Sequence, residues 1–520
     1  MILSLMATET LILTDENSEQ VADPVLLANI LRNENENLRT QIHILKEQLA
    51  LLKKKIFGSS SEKTDLENYA SPLFDEVSPT SEKSAQITQE LIVPEHVRRK
   101  GGRKPLSDKL PREERIIDLS DEEKHCKDCG DLMEKIGEDV SERADIIPPK
   151  IVVEKCIRPK CVCRRCNTPP VGKELPYVLP HSIATNGTFA YIVTSKYCDG
   201  IPFHRMEGIL SRYGVEYSKA NMCNNAIQFH EKYGEKIVGF LENQVMQGPR
   251  LHIDETTLQV LNEVNRANTT KSYVWVFLGG GDKKAVLYSY HETRKADFLY
   301  DMVQNYRGAI ITDGYSGYDS IFSELRIAHA GCNAHARRYF VEALEVGKHL
   351  DAKIALRFYA QLYEIEAMAR EGNYPPEQLL AIRQEKSKPV MRQLRDWLYE
   401  RRAKVCDNKT ALAKAVSYTL NQWPKLTLFL SNPEIPIDNN VVENTIRPFV
   451  VGRNSWYFSG SPRGAESSCM FYSLIETAKA NAHEPYWYLR RLFDELPYAR
   501  NDADIEKLMP YNMPPITSSA

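Results

Sequence analysis

Two apolar, β-rich runs, each carrying an acid near one end, constrain this chain more than anything else in it. Residues 251–258 form an apolar run interrupted by Asp254 and Glu255, and Gly308-Ala309-Ile310-Ile311-Thr312 stops at Asp313. Both patterns predict buried strands with a carboxylate near the end. A carboxylate so placed is held stiffly yet can face solvent, and several together suit Mg²⁺ (or Mn²⁺), a hard cation that takes oxygen ligands. A third acidic stretch, Asp438-Asn439-Asn440-Val441-Val442-Glu443, lies far downstream. We read Asp254, Asp313 and Glu443 as one metal site, where two ions would clamp the attacking and leaving oxygens of a phosphoryl transfer. Taken singly, Asp254 reads as well as an ordinary strand-end carboxylate, and Asp313-Gly314 as a turn. Glu255 is expected on the opposite face of the strand from Asp254.

At 520 residues the chain is too long for one core, so several domains are expected. Residues 1–24 read as a tail. Residues 25–57 carry a leucine-zipper pattern, with Leu31, Leu38, Leu45 and Leu52 in one column and Ala28, Asn35, Ile42, Leu49 and Ile56 in the other. Such a seam wants a partner helix; the lone Asn35 favours a parallel, in-register homodimer, and higher oligomers can build on it. Residues 58–94, rich in Ser and acids, read as a flexible linker. Residues 95–118 form a basic arm in which Arg98, Arg99, Lys100, Arg103 and Lys104 suit DNA phosphates or a minor groove.

Two Cys-x-x-Cys pairs, Cys126/Cys129 and Cys163/Cys166, define a module at 119–170. Four thiolates close a tetrahedron around one structural Zn²⁺. The 33 residues between the pairs (163 − 129 − 1) leave room for a strand at 150–158, and His125 and Cys161 are spare ligands. The eleven cysteines are an odd number, which with this pairing points to metal rather than disulfides. Cys156, Cys198, Cys223, Cys406 and Cys469 read as small hydrophobes.

Residues 171–246 read as helical. Pro202 can open a helix, Gly214 end it and Ser218 cap the next. The spacing fits a helix-turn-helix in which Lys219, Asn221 and Asn224 would read bases or phosphates, and equally a small bundle without DNA contacts. Residues 247–480 would hold the acids. Strands at 272–278 and 285–290 follow the first acidic strand, and a helical insertion spans about 345–432, between the second and third acids. His335 and Arg338, beside Cys332, are read as phosphate contacts rather than zinc ligands. Glu443 should start the helix that closes the site. Arg447, Arg453 and Arg463, interleaved with Trp456, Tyr457 and Phe458, could grip and stack on DNA. Residues 481–520 form a C-terminal segment, of which 497–520 is read as a tail.

The segments HIDET, TDGYSGY, CNAHARR, PIDNNVVENTIRP and YSLIETAKANAHEPYWYL resemble, in that order, the IS66 class of bacterial insertion-sequence transposases. The likeness runs from about residue 31 to about residue 496. It implies an RNase H-like fold with a catalytic triad on Asp254, Asp313 and Glu443, double-stranded DNA (transposon ends and target) as substrate, and small accessory transposition proteins as partners. Asn333 stands where that class usually has Trp, and Asn454-Ser455 where it has Lys-Asn. The expectation is therefore a multidomain α/β DNA transposase. An RNase H-like nuclease or resolvase, or a zinc- and zipper-containing DNA-binding regulator with inert acids, would be the alternatives. A net charge of −3 does not argue against DNA, since a local basic stripe is what matters. The apolar runs are too short for a membrane span, so the chain is expected in the cytoplasm, at the nucleoid.

Overall fold

The computed structural model describes residues 24–57, 151–160, 173–404 and 410–516. The zinc-ligand candidates Cys126, Cys129, Cys163 and Cys166, the basic-arm residues Arg98, Arg99, Lys100, Arg103 and Lys104, and Cys406 lie outside them. Two compact units are formed, one by Met1–Pro72 with Cys161–Ala520 and the other by Leu73–Lys160. In the second, the strand expected at 150–158 is not found: residues 151–160 are exposed and irregular. Val152 and Val153 are 72% and 96% exposed, so no described neighbour covers an apolar face that would fix a strand there. Cys156 is exposed with them.

The first unit begins with helix α1 (Pro24–Phe57). Four helices precede a sheet: α2 (Asn186–Tyr197), α3 (Phe203–Arg212), α4 (Lys219–Phe229) and α5 (Glu235–Val245). Their boundaries follow local chemistry. Thr185 Oγ1 accepts from Thr188 N to cap α2, Pro202 stands at the N-cap of α3, Gly214 takes φ +80° after it, and Ser218 Oγ accepts from Asn221 N to cap α4.

The strands are β1 (Arg250–Val260), β2 (Lys271–Gly279), β3 (Ala285–His291), β4 (Ala309–Thr312), β5 (Ala328–Gly331) and the two-residue β6 (Phe458–Ser459). They lie in the order β3-β2-β1-β4-β5, with β6 beside the far end of β1. β1, β2 and β3 are antiparallel neighbours, while β4 runs parallel to β1 and β5 parallel to β4. Helices α6 (Asp297–Val303) and α7 (Asp319–Glu324) flank β4, and α8 (Asn333–Glu345) follows β5. The stretch α9 (Ala352–Glu371), α10 (Pro376–Ile382), α11 (Lys388–Lys404), α12 (Ala411–Asn421) and α13 (Trp423–Leu426) holds helices and no strand among its described residues, and α14 (Asn440–Trp456), α15 (Pro462–Ala480), α16 (Pro485–Glu495) and α17 (Asp502–Lys507) follow.

Strand alternation sends side chains to two cores. Ile310 joins Phe189, Phe229, Phe449, Phe471 and Phe493 on one side, whereas Ala309 and Ile311 meet Phe340, Tyr359, Leu398 and Val416 on the other. β3 is an edge strand, and unpaired edges invite association. Here α15 satisfies it: Ser473 Oγ accepts from Tyr288 N, while Thr477 Oγ1 accepts from Val286 N and donates to Val286 O.

The tail expected at 497–520 is a correction. Ile505, Leu508, Met509 and Tyr511 are buried, α17 packs on α5, and Tyr511 Oη donates to Phe240 O at 3.2 Å. A six-residue helix followed by Pro510 offers too few turns to register as a periodic pattern. No helix among the described residues is long and apolar enough to cross a membrane.

Candidate active site

β1 and β4 pair in parallel with His252 opposite Ile311; two residues further along both strands, the same register brings Asp254 level with Asp313. Glu443 stands in the first turn of α14, which packs against β1. Asp254 feels the other two acids. Burial, and then the charges of Glu255, Asp313 and Glu443, hold the Asp254 carboxyl well above the usual carboxylate range. Asp254 Oδ1 accepts from Glu255 N and Asp313 Oδ1 from Tyr315 N, each at 2.9 Å. Asp254 thus lies within electrostatic reach of both other acids and is pushed toward protonation, while the group whose ligand atoms lie within 4.8 Å of one another among the described residues is Cys332, His335 and Glu443 rather than the three acids.

Glu255, expected on the opposite face of the strand from Asp254, is firmly held. Its side chain is only 3% exposed, and it accepts from Arg294 Nε at 2.7 Å and from Tyr318 Oη. Arg294 also lies over the Tyr315 ring, 3.8 Å from its centroid. Tyr315 and Tyr318 belong to the turn after Asp313, so Glu255 ties β1 to the segment that carries the second acid.

Sequence reasoning missed what places the third. Asn439, 1% exposed, is the residue before α14. Its Nδ2 donates to Ile253 O at 3.0 Å, its Oδ1 accepts from His252 Nδ1 at 2.7 Å, and its backbone N donates to Cys332 Sγ at 3.2 Å. Glu443 N in turn donates to Asn439 O at 3.3 Å. Burial lowers His252 to about 4, so its ring is neutral and acts as a fixed donor. The chain reaches this point through two further clamps. Asn333 Nδ2 donates to Leu426 O and Ile437 O, both at 3.0 Å. Arg383, 2% exposed, binds both Glu366 oxygens at 2.7 Å and donates to Phe429 O, Asn432 O and Ile435 O. The polar run around Asp438 was the one available signal for Asn439. Nothing local marked Arg383.

Cys332 is the N-cap residue of α8 and His335 lies in its first turn. His335 Nδ1 faces Glu443 Oε1 at 3.5 Å, and Arg338 reaches Glu443 Oε2 at 3.4 Å. These two residues, read from sequence as phosphate contacts, therefore meet the third acid.

The remaining candidates scatter. Lys219, Asn221 and Asn224 are exposed at the start of α4, and Arg447 is exposed on α14. Arg453 is half-buried and donates to Thr256 Oγ1 at 2.9 Å and to Thr257 O; it holds α14 to β1. Arg463 pairs with Glu231 at 2.8 Å. Tyr457 and Phe458 are 72% and 47% exposed, with Tyr457 at φ +63°. Cys223 is exposed and Cys198 half-buried, so among the described cysteines read as small hydrophobes only Cys469 is buried.

Comparison with known proteins gives the class of this mixed α/β chain, a transposase. The profile described as "Transposase IS66 family" matches residues 181–467, more than half of the chain. "Zinc-finger binding domain of transposase IS66" matches 123–167, "Transposase C of IS166 homeodomain" 44–115, and "IS66 C-terminal element" 473–511. The chain belongs to the IS66 transposase family. Two relatives from Sinorhizobium fredii (strain NBRC 101917 / NGR234) are similar over most of the chain. The uncharacterized protein y4qI is 30% identical over 520 residues, covering 95% of this chain and 92% of its own. The uncharacterized protein y4jD is 29% identical over 422 residues, covering 78% and 80%.

Proposed function

We propose that this transposase cuts the phosphodiester at each transposon end and directs the freed 3′ hydroxyl at target DNA, both at one site built from Asp254, Asp313 and Glu443 on an RNase H-like sheet. The convergence of these acids from two parallel strands and a distant helix, felt in the raised protonation of Asp254, carries the reading. The strand order β3-β2-β1-β4-β5, with the first acid on the central β1, supports the fold assignment.

Asp254, Asp313 and Glu443 would hold Mg²⁺ or Mn²⁺, which would supply Lewis-acid stabilisation of the attacking and leaving oxygens. The protein's own part is placement. Glu255 and Tyr318 fix the Asp313 segment on β1, and Asn439 fixes the start of α14, so the acids are held before DNA arrives. Affinity for DNA comes from elsewhere: Arg98, Arg99, Lys100, Arg103 and Lys104 of the arm, Lys219 and Asn221 on α4, and Arg447. Arg338 and His335 sit beside Glu443, where a scissile phosphate would lie. Zn²⁺ on Cys126, Cys129, Cys163 and Cys166 keeps the N-terminal module folded. The exposed zipper seam makes the protein at least a homodimer, able to hold two ends, with accessory transposition proteins as further partners.

A labelled duplex carrying a transposon end, incubated with the full chain and Mg²⁺, tests this. The parent should nick the end and join it to target. Asp254→Ala, Asp313→Ala and Glu443→Ala should each lose both steps while binding the duplex at least as tightly, because removing a carboxylate relieves repulsion with phosphate. Cleavage by Glu443→Ala would show that Glu443 is not the third acid, and Asp438→Ala would then be examined.

A further inference from the structure

We infer that Cys332, His335 and Glu443 form a binding site for a borderline divalent cation of the Zn²⁺ class, separate from the four-cysteine module and sharing only Glu443 with the carboxylate cluster. One Sγ, one imidazole nitrogen and one carboxylate oxygen from these residues lie within 4.8 Å of one another. That is the spacing of ligands around a single ion, and three protein ligands with an open position are a common zinc arrangement.

Hydrogen bonding in the site points the same way. His335 Nδ1 and Glu443 Oε1 are both buried atoms without a hydrogen-bond partner among the described residues, yet they face each other at 3.5 Å. Buried polar atoms are normally paired; two that converge unpaired share a missing partner, and a cation supplies it to both. Burial pushes the Cys332 thiol up to about 12, while its Sγ accepts from the backbone N–H groups of Asn439 and His335, which favour the thiolate only in part. Cys332 and His335 are three residues apart at the start of α8, so both ligands issue from one helical turn, while Glu443 arrives on α14. The sequence offered only the first two, which is why they were not read as ligands there.

Ligand chemistry sets the selectivity. A thiolate with an imidazole favours Zn²⁺ over Mg²⁺, whereas Asp254 and Asp313 offer only oxygen. Binding releases the thiol proton to solvent. Arg338 lies against Glu443 Oε2, so coordination through Oε1 fixes the carboxylate between a cation and a guanidinium and pins α14 to α8.

Zinc counted per chain by elemental analysis, after equilibration of the full-length protein with a competing chelator, decides the matter without DNA. The parent should hold one equivalent more than Cys332→Ala and one more than His335→Gln, each verified as folded by circular dichroism. Asp254→Ala should keep the parent's count, which separates this site from the cleavage reading. The count is read without catalysis, so it stands even if Glu443 proves not to be the third acid. Replacement of zinc by Co²⁺ should give a visible spectrum whose thiolate charge-transfer intensity falls by one cysteine's share in Cys332→Ala. A zinc count unchanged in folded Cys332→Ala or folded His335→Gln overturns the inference. Should Cys332→Ala fail to fold, His335→Gln and the Co²⁺ titration of the parent carry the test, and a parent spectrum that is the same as that of His335→Gln overturns it.

Discussion

Single residues decide where the acids stand, and the deciding ones are mostly not the acids. Glu255 is held by Tyr318 and Arg294, so its loss should loosen the segment that bears Asp313. Glu255→Ala is expected to cut end cleavage by about 10- to 100-fold, the usual cost of removing an outer-shell partner of a metal ligand, with a higher Mg²⁺ requirement. Glu255→Gln, which can still accept from Tyr318, should recover part of the loss. Equal rates for Glu255→Ala and the parent at low Mg²⁺ would make Glu255 a bystander. Asn439→Ala is the harsher change. It strips partners from His252 and Ile253 O in a buried setting, where each unsatisfied group costs roughly 1–3 kcal/mol. A lowered midpoint in thermal unfolding should accompany its loss of cleavage.

Among the elements, α1 presents two faces. Ile44 and Glu47 are 7% and 5% exposed; Glu47 accepts from Ala411 N at 2.6 Å at the start of α12, and Leu51 packs on the core of the helical stretch. The zipper columns point elsewhere: Leu38, Ile42, Leu45 and Leu49 are 51%, 51%, 63% and 53% exposed. One face anchors the helix to its own chain and leaves the seam open to a second copy. Leu38→Lys with Leu45→Lys should therefore shift the protein toward monomer in analytical ultracentrifugation, since each buried leucine contributes about 1.5–3 kcal/mol, while leaving the anchored face intact. A parent that is already monomeric would dispose of the zipper. This element also shows what was legible. Heptads, the strand that stops at Asp313, and caps such as Ser218 are periodic or local, so the sequence displays them, whereas Asp254, expected near a strand end, lies inside β1. Asn439, Asn333 and Arg383 act through contacts to residues 17 to 187 positions away, and most of these pairs fall within no single window over a sequence. Burial of α17 escaped for the related reason that its apolar residues are few and answer to α5, far upstream.

Across the whole molecule, stability against pH is a balance of groups that burial pushes in opposite senses. His252, His291 and His329 are each lowered from 6.5 to about 4, mainly by burial. Between those values the unfolded chain binds protons that the folded chain refuses, so their contribution is complete above 6.5 and is lost as pH falls toward 4. Asp254 works the other way. Its folded carboxyl is raised well above 3.8 by burial and by Glu255, Asp313 and Glu443, so the folded chain holds a proton that the unfolded one has released, and stability drains as pH rises through that window. Removing the charge isolates this contribution. Without divalent metal, Asp254→Asn and the parent should be equally stable near pH 3.8, and the variant should gain on the parent as pH rises, by about 1.4 kcal/mol for each pH unit until the folded pKa is passed. Mg²⁺ should then stabilise the parent more than the variant and narrow the gap, because the cation relieves the repulsion that the substitution has already removed. Urea titrations at several pH values, with and without Mg²⁺, give the difference directly. A gap that does not grow with pH, or that Mg²⁺ leaves unchanged, would mean that the carboxylates do not share one electrostatic site.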